Sequence, residues 1–507
     1  MLLILTWLAQ APVARPAPDP RLLLDRAVTA LGGVDRISRY ERWYVTGTGR
    51  ENLSAELQGL SPSEPTYRPH EERVAVVDGG RRVAWERRTP RNDGSLRWRR
   101  FIQGADSSGV VDWVAGYGAL RANPAPMASR LGLMRRIPHL LLAELVSGGG
   151  ALASRAHRGG RSVVAATLPN GVVLTLGFDS RALLSEVEYQ VAMPGAGSLP
   201  VRWTWSAWRP DPNLGWVPGG HRIDVGGILY QEVRYTSYQA ESDSALTLVG
   251  LPSNPARFLA TSNDRPTFPS VAPSGNPAPG VSIISVRGLR AMLVEFADHV
   301  VLVEAPEQHP GLETIPAEGA ANHGGATREL KDRIAALAGG KPLRYVVITH
   351  HHDDHLGGLG GLATTGTTVL VAPGHRQAAA RALAAPPVPT DGDRTRVAIE
   401  PVATRRVLAD STRRMEIINV GDNPHTTENL MVWLPNERIM FQGDLFYFEP
   451  DGPFPPSGRG TMNRFFAGWL ERRGIRPVAI YGVHNPGAAG ADALRHAITE
   501  AATPPRG

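Results

Sequence analysis

Residues 345–358 read Tyr-Val-Val-Ile-Thr-His-His-His-Asp-Asp-His-Leu-Gly-Gly, and this stretch decides the fold of the C-terminal half of the chain. Its first five residues are mostly apolar and β-branched, which is typical of a buried strand. His350 and His352 follow that strand two residues apart, so both imidazoles can converge on one ion. A turn would then present Asp354 and His355 to a second ion, and the two glycines let the backbone leave the site tightly.

Three later predicted strands also end in a side chain that can bind a metal. His425 follows the strand 417–420, Asp444 follows 438–442, and His484 follows 478–483. Together with the first stretch they supply imidazoles and carboxylates, and the chain contains no cysteine that could add a thiolate. Such a set suits zinc and would also accept iron or manganese.

The His-x-His-x-Asp-His stretch and the three later residues, in this order, resemble the signature of the metallo-β-lactamase superfamily. The resemblance implies an αββα sandwich at residues 281–507 and two divalent metal ions, with zinc favoured. It implies that the first ion is held by His350, His352 and His425. The second would be held by Asp354, His355 and His484, with Asp444 bridging both.

The same resemblance implies a hydrolase in which a bridging hydroxide attacks an ester-like carbonyl or phosphoryl centre. Asp354 and Asp444 are the candidate catalytic residues. Asp444 is absent from the zinc β-lactamases proper, so it favours glyoxalase-II-like thioesterases, lactonases and phosphodiesterases. The sequence departs from the family at Glu304, where an aspartate is usual, and we expect Glu304 to support the site rather than to bind a metal.

Several neighbouring residues have open roles in this interpretation. His351 and Asp353 occupy variable positions of the motif, where we expect supporting or surface roles. His299, His309, His323, His375 and His496 have no family counterpart and are expected to be structural or solvent-facing. One set of aromatic residues either lines an apolar substrate cleft or packs the core: Phe446, Tyr447, Phe448, Phe465, Phe466 and Trp469.

The length of 507 residues favours two domains. Short runs that alternate or are β-branched recur over residues 21–262, which predicts a mainly antiparallel, curved sheet with a few helices. A longer helical stretch is expected at Ala119–Leu145. Residues 263–280 contain five prolines and are expected to form a linker, because proline fits neither a helix interior nor a sheet interior.

The latter half of the N-terminal domain loosely resembles the half-barrel of periplasmic lipoprotein carriers. This resemblance, with Trp203, Trp205, Trp208 and Trp216, motivates an alternative function. The chain would then be a noncatalytic periplasmic protein that binds a lipid or a lipoprotein, with the metal domain as a structural module. Aromatic residues on strands usually pack a core, so the hydrolase is the favoured prediction.

The first 20 residues predict export. An apolar run, 2–9, precedes small residues and then a proline-rich stretch, as in a signal peptide, although a basic start is missing. We therefore expect a periplasmic or secreted protein. No later run reaches the roughly 20 apolar residues that a transmembrane segment needs. The net charge of +6 comes from scattered arginines, so we expect a small-molecule substrate and no nucleic acid. The sequence does not predict the substrate or the oligomeric state.

Overall fold

The computed structural model of the protein describes the chain in segments. These are residues 19–33, 42–52, 67–78, 82–90, 96–104, 110–114, 118–122, 137–146, 150–158, 161–168, 171–193, 195–250, 258–259, 275–307, 324–384, 396–447, 460–485, 487–490 and 492–495. The predicted signal peptide lies outside them except for its last two residues, and so does most of the predicted linker. His309, His323, Phe448 and His496 also lie outside the described residues.

The α-helices in the described residues are α1 (Pro20–Ala30), α2 (Pro138–Val146), α3 (Asp243–Val249), α4 (Gly325–Leu337), α5 (Asp353–Leu356), α6 (Leu359–Leu362), α7 (Arg376–Ala384) and α8 (Gly460–Arg473), and a short 3-10 helix spans Pro373–His375. The strands of the N-terminal region are β1 (Arg42–Asn52), β2 (Tyr67–Val77), β3 (Arg82–Pro90), β4 (Leu96–Gly104), β5 (Val110–Val114), β6 (Gly118–Ala122), β7 (Ala151–Arg158), β8 (Arg161–Thr167), β9 (Val173–Phe178), β10 (Leu184–Met193), β11 (Gly197–Ser206), β12 (Arg209–Asp211), β13 (Gly215–Val217), β14 (Gly220–Val225), β15 (Ile228–Ala240) and β16 (Phe258–Leu259).

The strands of the C-terminal region are β17 (Gly275–Ala278), β18 (Val281–Val286), β19 (Leu289–Glu295), β20 (Val300–Val303), β21 (Leu343–Val347), β22 (Thr368–Val371), β23 (Ala398–Pro401), β24 (Arg405–Ala409), β25 (Arg414–Asn419), β26 (Leu430–Leu434), β27 (Ile439–Gln442) and β28 (Ala479–Gly482).

The N-terminal region is one large sheet of 14 strands, in the order β16-β6-β5-β4-β3-β2-β1-β15-β14-β11-β10-β9-β8-β7. Long strands pair in antiparallel fashion throughout its centre, where β1 lies between β2 and β15. The short β16 joins β6 in parallel at one edge. The prediction of a mainly antiparallel N-terminal region with a few helices is confirmed.

Two helices cover part of this sheet. The Asp19 carboxylate accepts a hydrogen bond from the backbone N–H of Arg21 and so begins α1. Leu24 of α1 and Leu141 of α2 are fully buried in a cluster that includes Trp203 of β11. The remaining tryptophans with an open role either join the cluster or pack against it: Trp205, Trp208 and Trp216. These aromatic residues therefore contribute to the core of the N-terminal sheet.

One helix prediction in this region was wrong in part. Residues 119–122, which were expected to begin a helix, belong to β6 and pair with β5. Within the described residues the helix covers Pro138–Val146. Pairing with a neighbouring strand therefore overrides the helical propensity of this alanine- and leucine-containing segment.

The C-terminal region consists of two sheets packed face to face. The first sheet has the order β17-β18-β19-β20-β21-β22-β23, and the second has the order β24-β25-β26-β27-β28. Apolar side chains from both sheets form the core between them, among them Val303 and Leu370 from the first sheet and Ile417 and Val432 from the second. The fold places β17 in the first sheet as its edge strand, where Pro277 is tolerated because an edge leaves one row of backbone groups unpaired.

Helices cover the outer faces of both sheets. Leu330 of α4, Leu359 of α6 and Ala379 of α7 pack on the first sheet, and Phe466 of α8 packs on the second. The predicted αββα sandwich is therefore confirmed. In the described part of the chain, no helix is long and apolar enough to cross a membrane.

Candidate metal centre

Four side chains from three separate segments of the C-terminal region lie together in one group. His350 and His352 follow β21, His425 lies in the turn after β25, and Asp444 follows β27. The His350 Nε2 and His352 Nδ1 atoms are 2.9 Å apart, and His425 Nε2 lies 3.1 Å and 3.2 Å from them. A tetrahedral ion with Zn–N distances of about 2.05 Å would separate its nitrogen ligands by about 3.3 Å. These three nitrogens therefore have the spacing of ligands around one small cation.

A second group of three side chains lies beside the first. It consists of Asp354 and His355 of α5 and His484 after β28. His484 Nε2 is 3.0 Å from Asp354 Oδ2, and His355 Nε2 is 3.7 Å from Asp354 Oδ1. This group comes from two segments that are distant in the sequence, so the fold and not a local motif brings it together.

Asp444 faces both groups with different oxygen atoms. Its Oδ2 atom lies 3.4 Å from His425 Nε2, on the side of the first group. Its Oδ1 atom lies 3.2 Å from His355 Nε2 and 3.5 Å from His484 Nε2, on the side of the second group. The structure thus brings all seven predicted ligands together, with one carboxylate between two sets of three.

Several ligand atoms are buried without a hydrogen-bond partner among the described residues. They are Asp354 Oδ1, His355 Nε2 and Asp444 Oδ1, of which the last two face each other at 3.2 Å. A buried polar atom without a hydrogen-bond partner is unfavourable by about 1–3 kcal/mol, so a set of such atoms points to a ligand that they bind. Nitrogens and carboxylate oxygens that converge in this way fit divalent cations, and zinc among them.

The local electrostatics favour the protonation states that bind metals. Burial is the main reason that the pKa values of His350 and His352 lie well below the usual value, and neighbouring imidazoles lower them further. Burial alone would raise the pKa of the Asp444 carboxyl, but His484 and His355 outweigh it and hold that pKa well below its usual range. Neutral imidazoles and ionised carboxylates are the forms that coordinate metals.

His355 differs from the other imidazoles. Burial lowers its pKa, but the carboxylates of Asp444, Asp354 and Glu304 outweigh burial and raise this pKa well above the usual value. The surrounding carboxylates therefore favour a positive charge at this point of the site. A bound cation supplies the same charge.

Glu304 directly follows β20 and forms hydrogen bonds that orient residues of both ligand groups. It is fully buried, with a left-handed backbone conformation (φ 73°), and it accepts a hydrogen bond from His355 Nδ1 at 3.1 Å. It also accepts from the Thr349 hydroxyl, which in turn lies 3.0 Å from His350 Nδ1. Because Glu304 and Thr349 occupy the Nδ1 atoms of His355 and His350, the Nε2 lone pairs of both rings face the ligand groups.

Close packing at this point depends on a glycine. A Cβ atom on Gly443 would lie 2.5 Å from the Thr349 hydroxyl oxygen and 3.0 Å from His350 Nδ1. Any larger residue would therefore displace the Thr349–His350 contact, which explains a glycine immediately before Asp444.

Two buried amides fix the loop that follows Asp444. Gln442 Oε1 accepts from the backbone N–H groups of Leu445 and Phe446, and Asn463 of α8 hydrogen-bonds both backbone groups of Tyr447. The sequence analysis missed both amides. A polar residue at the end of an apolar strand, as at Gln442, was the available indication.

The structure distinguishes the aromatic residues near the site. Phe446 is buried and stacks on Phe466, with ring centroids 5.6 Å apart. Trp469 is also buried, and Phe465 packs against the same cluster. Tyr447 instead stacks on His484 at 6.1 Å, with ring planes 12° apart. Core packing is therefore the role of most of this set, and Tyr447 is the member placed beside a predicted ligand.

The histidines and the aspartate without an assigned ligand role are more buried than expected for surface residues. His351 contacts His375 with ring centroids 4.6 Å apart, and burial lowers the pKa of His351 to about 4 and that of His375 to about 3. Asp353 is buried at the start of α5. His299 is buried and stacks on Phe296 at 4.8 Å. Within the described residues these groups are structural or lie beside the ligands, as the sequence analysis allowed.

Comparison with known proteins agrees with this fold. The family model described as "Metallo-beta-lactamase superfamily" matches residues 321–503. A comparison with curated proteins gives no match. The C-terminal region of the chain is a domain of the metallo-β-lactamase superfamily.

Solved structures similar to the chain include several metallo-β-lactamases. One from Pontibacter korlensis is 18% identical, with 45% of this chain and 97% of that chain covered and a TM-score of 0.33. FIM-1 from Pseudomonas aeruginosa, in a mono-zinc form, is 18% identical, with 46% and 97% covered and a TM-score of 0.31. One from Hirschia baltica is 14% identical, with 45% and 98% covered and a TM-score of 0.31.

Proposed function

We propose that the protein is a metal-dependent hydrolase with a dinuclear centre, and that zinc is its metal. Its substrate is a small molecule with an ester, lactone, thioester or related bond. The observation that carries the proposal is the convergence of seven ligand side chains into two adjacent groups that share Asp444. A single structural zinc site would need one closed group of four ligands, whereas two adjacent groups suit hydrolytic chemistry.

Two divalent ions, if held by these residues, would lower the pKa of a water towards about 7 and would polarise the bond that it attacks. We assign His350, His352 and His425 to the first ion and Asp354, His355 and His484 to the second, with Asp444 shared. Glu304 and Thr349 orient the rings, as their hydrogen bonds to His355 and His350 require.

Asp354 is the proposed proton carrier. Its carboxylate lies beside His484 and is held in the ionised form, because His355 and His484 outweigh the burial that would raise its pKa. An ionised carboxylate can accept the proton of the attacking water and donate it to the leaving group. Asp444 holds its charge between the two groups, where it fixes their separation.

A screen of several substrate classes distinguishes the proposed substrates from phosphodiesters and β-lactams. Purified, metal-analysed protein is assayed against lactones, thioesters, β-lactams and phosphodiesters, alongside a variant that carries His350→Ala and His352→Ala. We expect about two ions per chain, hydrolysis of a lactone or a thioester, and loss of both metal and activity in the variant. Unchanged metal content and unchanged hydrolysis in the variant would contradict the proposal.

We further propose that the protein is exported to the periplasm or secreted. The support is the apolar run 2–9 followed by small residues and a proline-rich stretch. Cell fractionation and N-terminal sequencing of the full-length product test this. Recovery in the cytoplasm with an intact N-terminus would contradict export.

A further inference from the structure

A hairpin of the N-terminal sheet contacts the segment that carries two of the candidate metal ligands. It joins β10 to β11, and β11 and α7 lie close together there. At the tip of the hairpin, a Cβ atom on Gly195 would lie 2.7 Å from Leu356 Cδ1 of α5 and 3.7 Å from Ala382 Cβ of α7. The sequence analysis gave no indication of this contact between the two regions.

Leu356 is the last residue of a very short helix. α5 spans only Asp353–Leu356, and it carries Asp354 and His355 of the second ligand group. A single helical turn is not stable by itself in water, so contacts with the rest of the protein determine where this helix lies. Leu356 is 2% exposed and packs in the same cluster as Ala382. The positions of both ligands therefore depend on the residues that surround α5.

Some of these contacts come from the C-terminal region itself. The backbone N–H of Ala305 donates to the His355 carbonyl oxygen at 2.9 Å, and that of Gly358 donates to the Ala305 carbonyl oxygen at 2.8 Å. Glu304 accepts a hydrogen bond from the His355 ring. These bonds hold the backbone of α5 beside the end of β20. The hairpin adds a contact at the side chain of Leu356.

The hairpin is anchored in the core of the N-terminal sheet. Met193 pairs with Gly197 across the turn and is buried in the cluster that includes Trp203. Gly195 is buried, with a φ of 72°, a conformation that residues with a Cβ atom rarely adopt. The tip therefore has a defined position relative to the N-terminal core, and the backbone of Gly195 approaches Leu356 closely.

We propose that the β10–β11 hairpin positions α5, so that Asp354 and His355 lie where the second ion needs them. Leu356 and Gly195 are positioning residues in this inference, and neither binds a metal. The inference rests on the proposed function, because it gives the N-terminal region a supporting role in the same metal centre. Metal–ligand distances vary by only about 0.2 Å, so a small displacement of α5 is enough to weaken binding.

Gly195→Ala and Gly171→Ala form a matched pair of variants. Both glycines lie in hairpin turns of the N-terminal sheet, with φ values of 72° and 81°, so both changes strain the backbone in the same way. The new Cβ atom at Gly195 would lie inside the ordinary carbon–carbon contact distance of about 3.5–4.0 Å from Leu356. At Gly171 it would meet no atom within 4 Å beyond its chain neighbours.

Zinc binding to the full chain is measured by competition with a chromogenic chelator. The binding step that His484→Ala removes identifies the second ion. We expect this ion to bind about 10- to 100-fold more weakly to Gly195→Ala, whereas the affinity for the first ion should stay within about twofold. Gly171→Ala should match the wild type in both steps.

Leu356→Val tests the same contact from the side of α5. It removes Cδ1 and should weaken the second zinc site, whereas Leu359→Val, the same change in the same cluster, should not. In the Leu356→Val background, Gly195→Ala should change the zinc affinity by less than about twofold, because the atom that it meets is absent. This second pair decides the question if Gly195→Ala does not fold.

Hydrogen exchange of the metal-free protein gives a readout that needs no metal. The N–H groups of Leu356 and Gly357 donate to the His352 and Asp353 carbonyl oxygens, at 3.0 Å and 2.7 Å. A displaced α5 weakens these bonds, so both groups should exchange faster in Gly195→Ala than in the wild type. Their exchange in Gly171→Ala should be unchanged.

Equal zinc affinities in Gly195→Ala and Gly171→Ala would overturn the inference and leave the proposed function in place. A loss of affinity in Gly195→Ala that persists in full in the Leu356→Val background would also overturn it, since the effect would not pass through Leu356. A wild-type chain that binds no zinc would contradict the proposed function, and this inference with it.

Discussion

The two regions of the molecule both bury polar side chains inside sheets, but they do so in opposite ways. In the N-terminal sheet most buried charged residues lie within strands, and several pair directly with one another. Arg87 forms an ion pair with Glu51, and Gln231 donates to His70 and lies near Glu72. In the C-terminal sandwich the candidate metal ligands come from distant segments, mostly at strand ends, and their nitrogen and oxygen atoms converge on a common point.

This difference indicates which buried polarity is structural and which is functional. A charge that meets its partner inside the protein contributes to a unique fold and needs nothing further. A set of ligand atoms that converge on a common point without satisfying one another needs a cation. The comparison therefore predicts that changes in the first region affect stability, and that changes in the second affect metal binding and catalysis.

The largest effect is expected for Asp444→Asn. The amide keeps the size of the side chain but removes the charge that both ligand groups share, so at least one ion should be lost. Since transition-state stabilisation by the ions amounts to several kcal/mol, kcat/KM on a hydrolysed substrate should fall by about a thousandfold or more. Metal analysis and steady-state kinetics measure the two effects.

Asp410→Asn is the control for this change. Asp410 lies in the same domain and accepts hydrogen bonds from backbone N–H groups at Ala297 and Thr412. We expect kcat/KM within twofold of the wild type. Equal losses in both variants would mean that the effect of Asp444→Asn comes from general damage to the domain.

Arg87→Met should affect stability instead. It removes the Arg87 cation from the buried Glu51 carboxylate, and breaking a buried ion pair is unfavourable by about 3–5 kcal/mol. The double variant Glu51→Leu with Arg87→Met should recover most of that free energy of unfolding, as measured by chemical denaturation. Metal content per folded molecule should not change. A loss of metal in Arg87→Met would contradict the prediction that changes to the buried ion pairs of the N-terminal region affect stability alone.

The candidate metal ligands of the C-terminal region were largely predictable from the sequence, because the patterns that indicate them are local. His350, His352, Asp354 and His355 stand together after an apolar strand, and any αββα arrangement gathers the ends of neighbouring strands. His425, Asp444 and His484 could be selected by their order and their position at strand ends. Their mutual distances depend on sheet packing, which no local pattern contains.

The rest of the molecule gave weaker indications for physical reasons. The strand Ala151–Arg158 has no β-branched residue, so its pairing with β8 determines its conformation. The contact between Tyr447 and His484 joins two loops, and the sequence analysis could offer Tyr447 only as one of several aromatic candidates. The exported N-terminus and the substrate stay predictions.

A third change probes the pH dependence of stability in the N-terminal region. Burial lowers the pKa of His139 from 6.5 to about 4, so the unfolded chain takes up a proton first as the pH falls below about 6.5. The contribution of His139 to the free energy of unfolding is therefore fully present above pH 6.5. As the pH falls towards 4, this free energy decreases by about 3 kcal/mol in total.

His139→Phe should therefore flatten the decline of unfolding free energy between pH 6.5 and pH 4, as measured by denaturation at several pH values. Trp208→Phe changes a neighbour of the same ring and keeps the imidazole, so it should preserve the decline. A wild-type slope in His139→Phe would show that another group causes the acid sensitivity.

The smallest effect is expected for Glu304→Gln, which tests how the metal centre is supported rather than which residues bind the ions. The amide removes the charge that faces His355 Nδ1 and weakens the acceptor of the Thr349 hydroxyl. Loss of such an orienting partner commonly lowers metal affinity or activity by about 10- to 100-fold. Competition with a chromogenic chelator measures the metal affinity directly.

Glu307→Gln is the matched control, because Glu307 is a buried carboxylate three residues further along the same segment. It accepts hydrogen bonds from the backbone and hydroxyl groups of Thr327, at the start of α4. Both variants remove one buried charge, so both should lower the free energy of unfolding, but only Glu304→Gln should weaken metal binding. If the two variants weaken it equally, Glu304 acts through the stability of the domain, and the hydrogen bond to His355 does not orient the ligand.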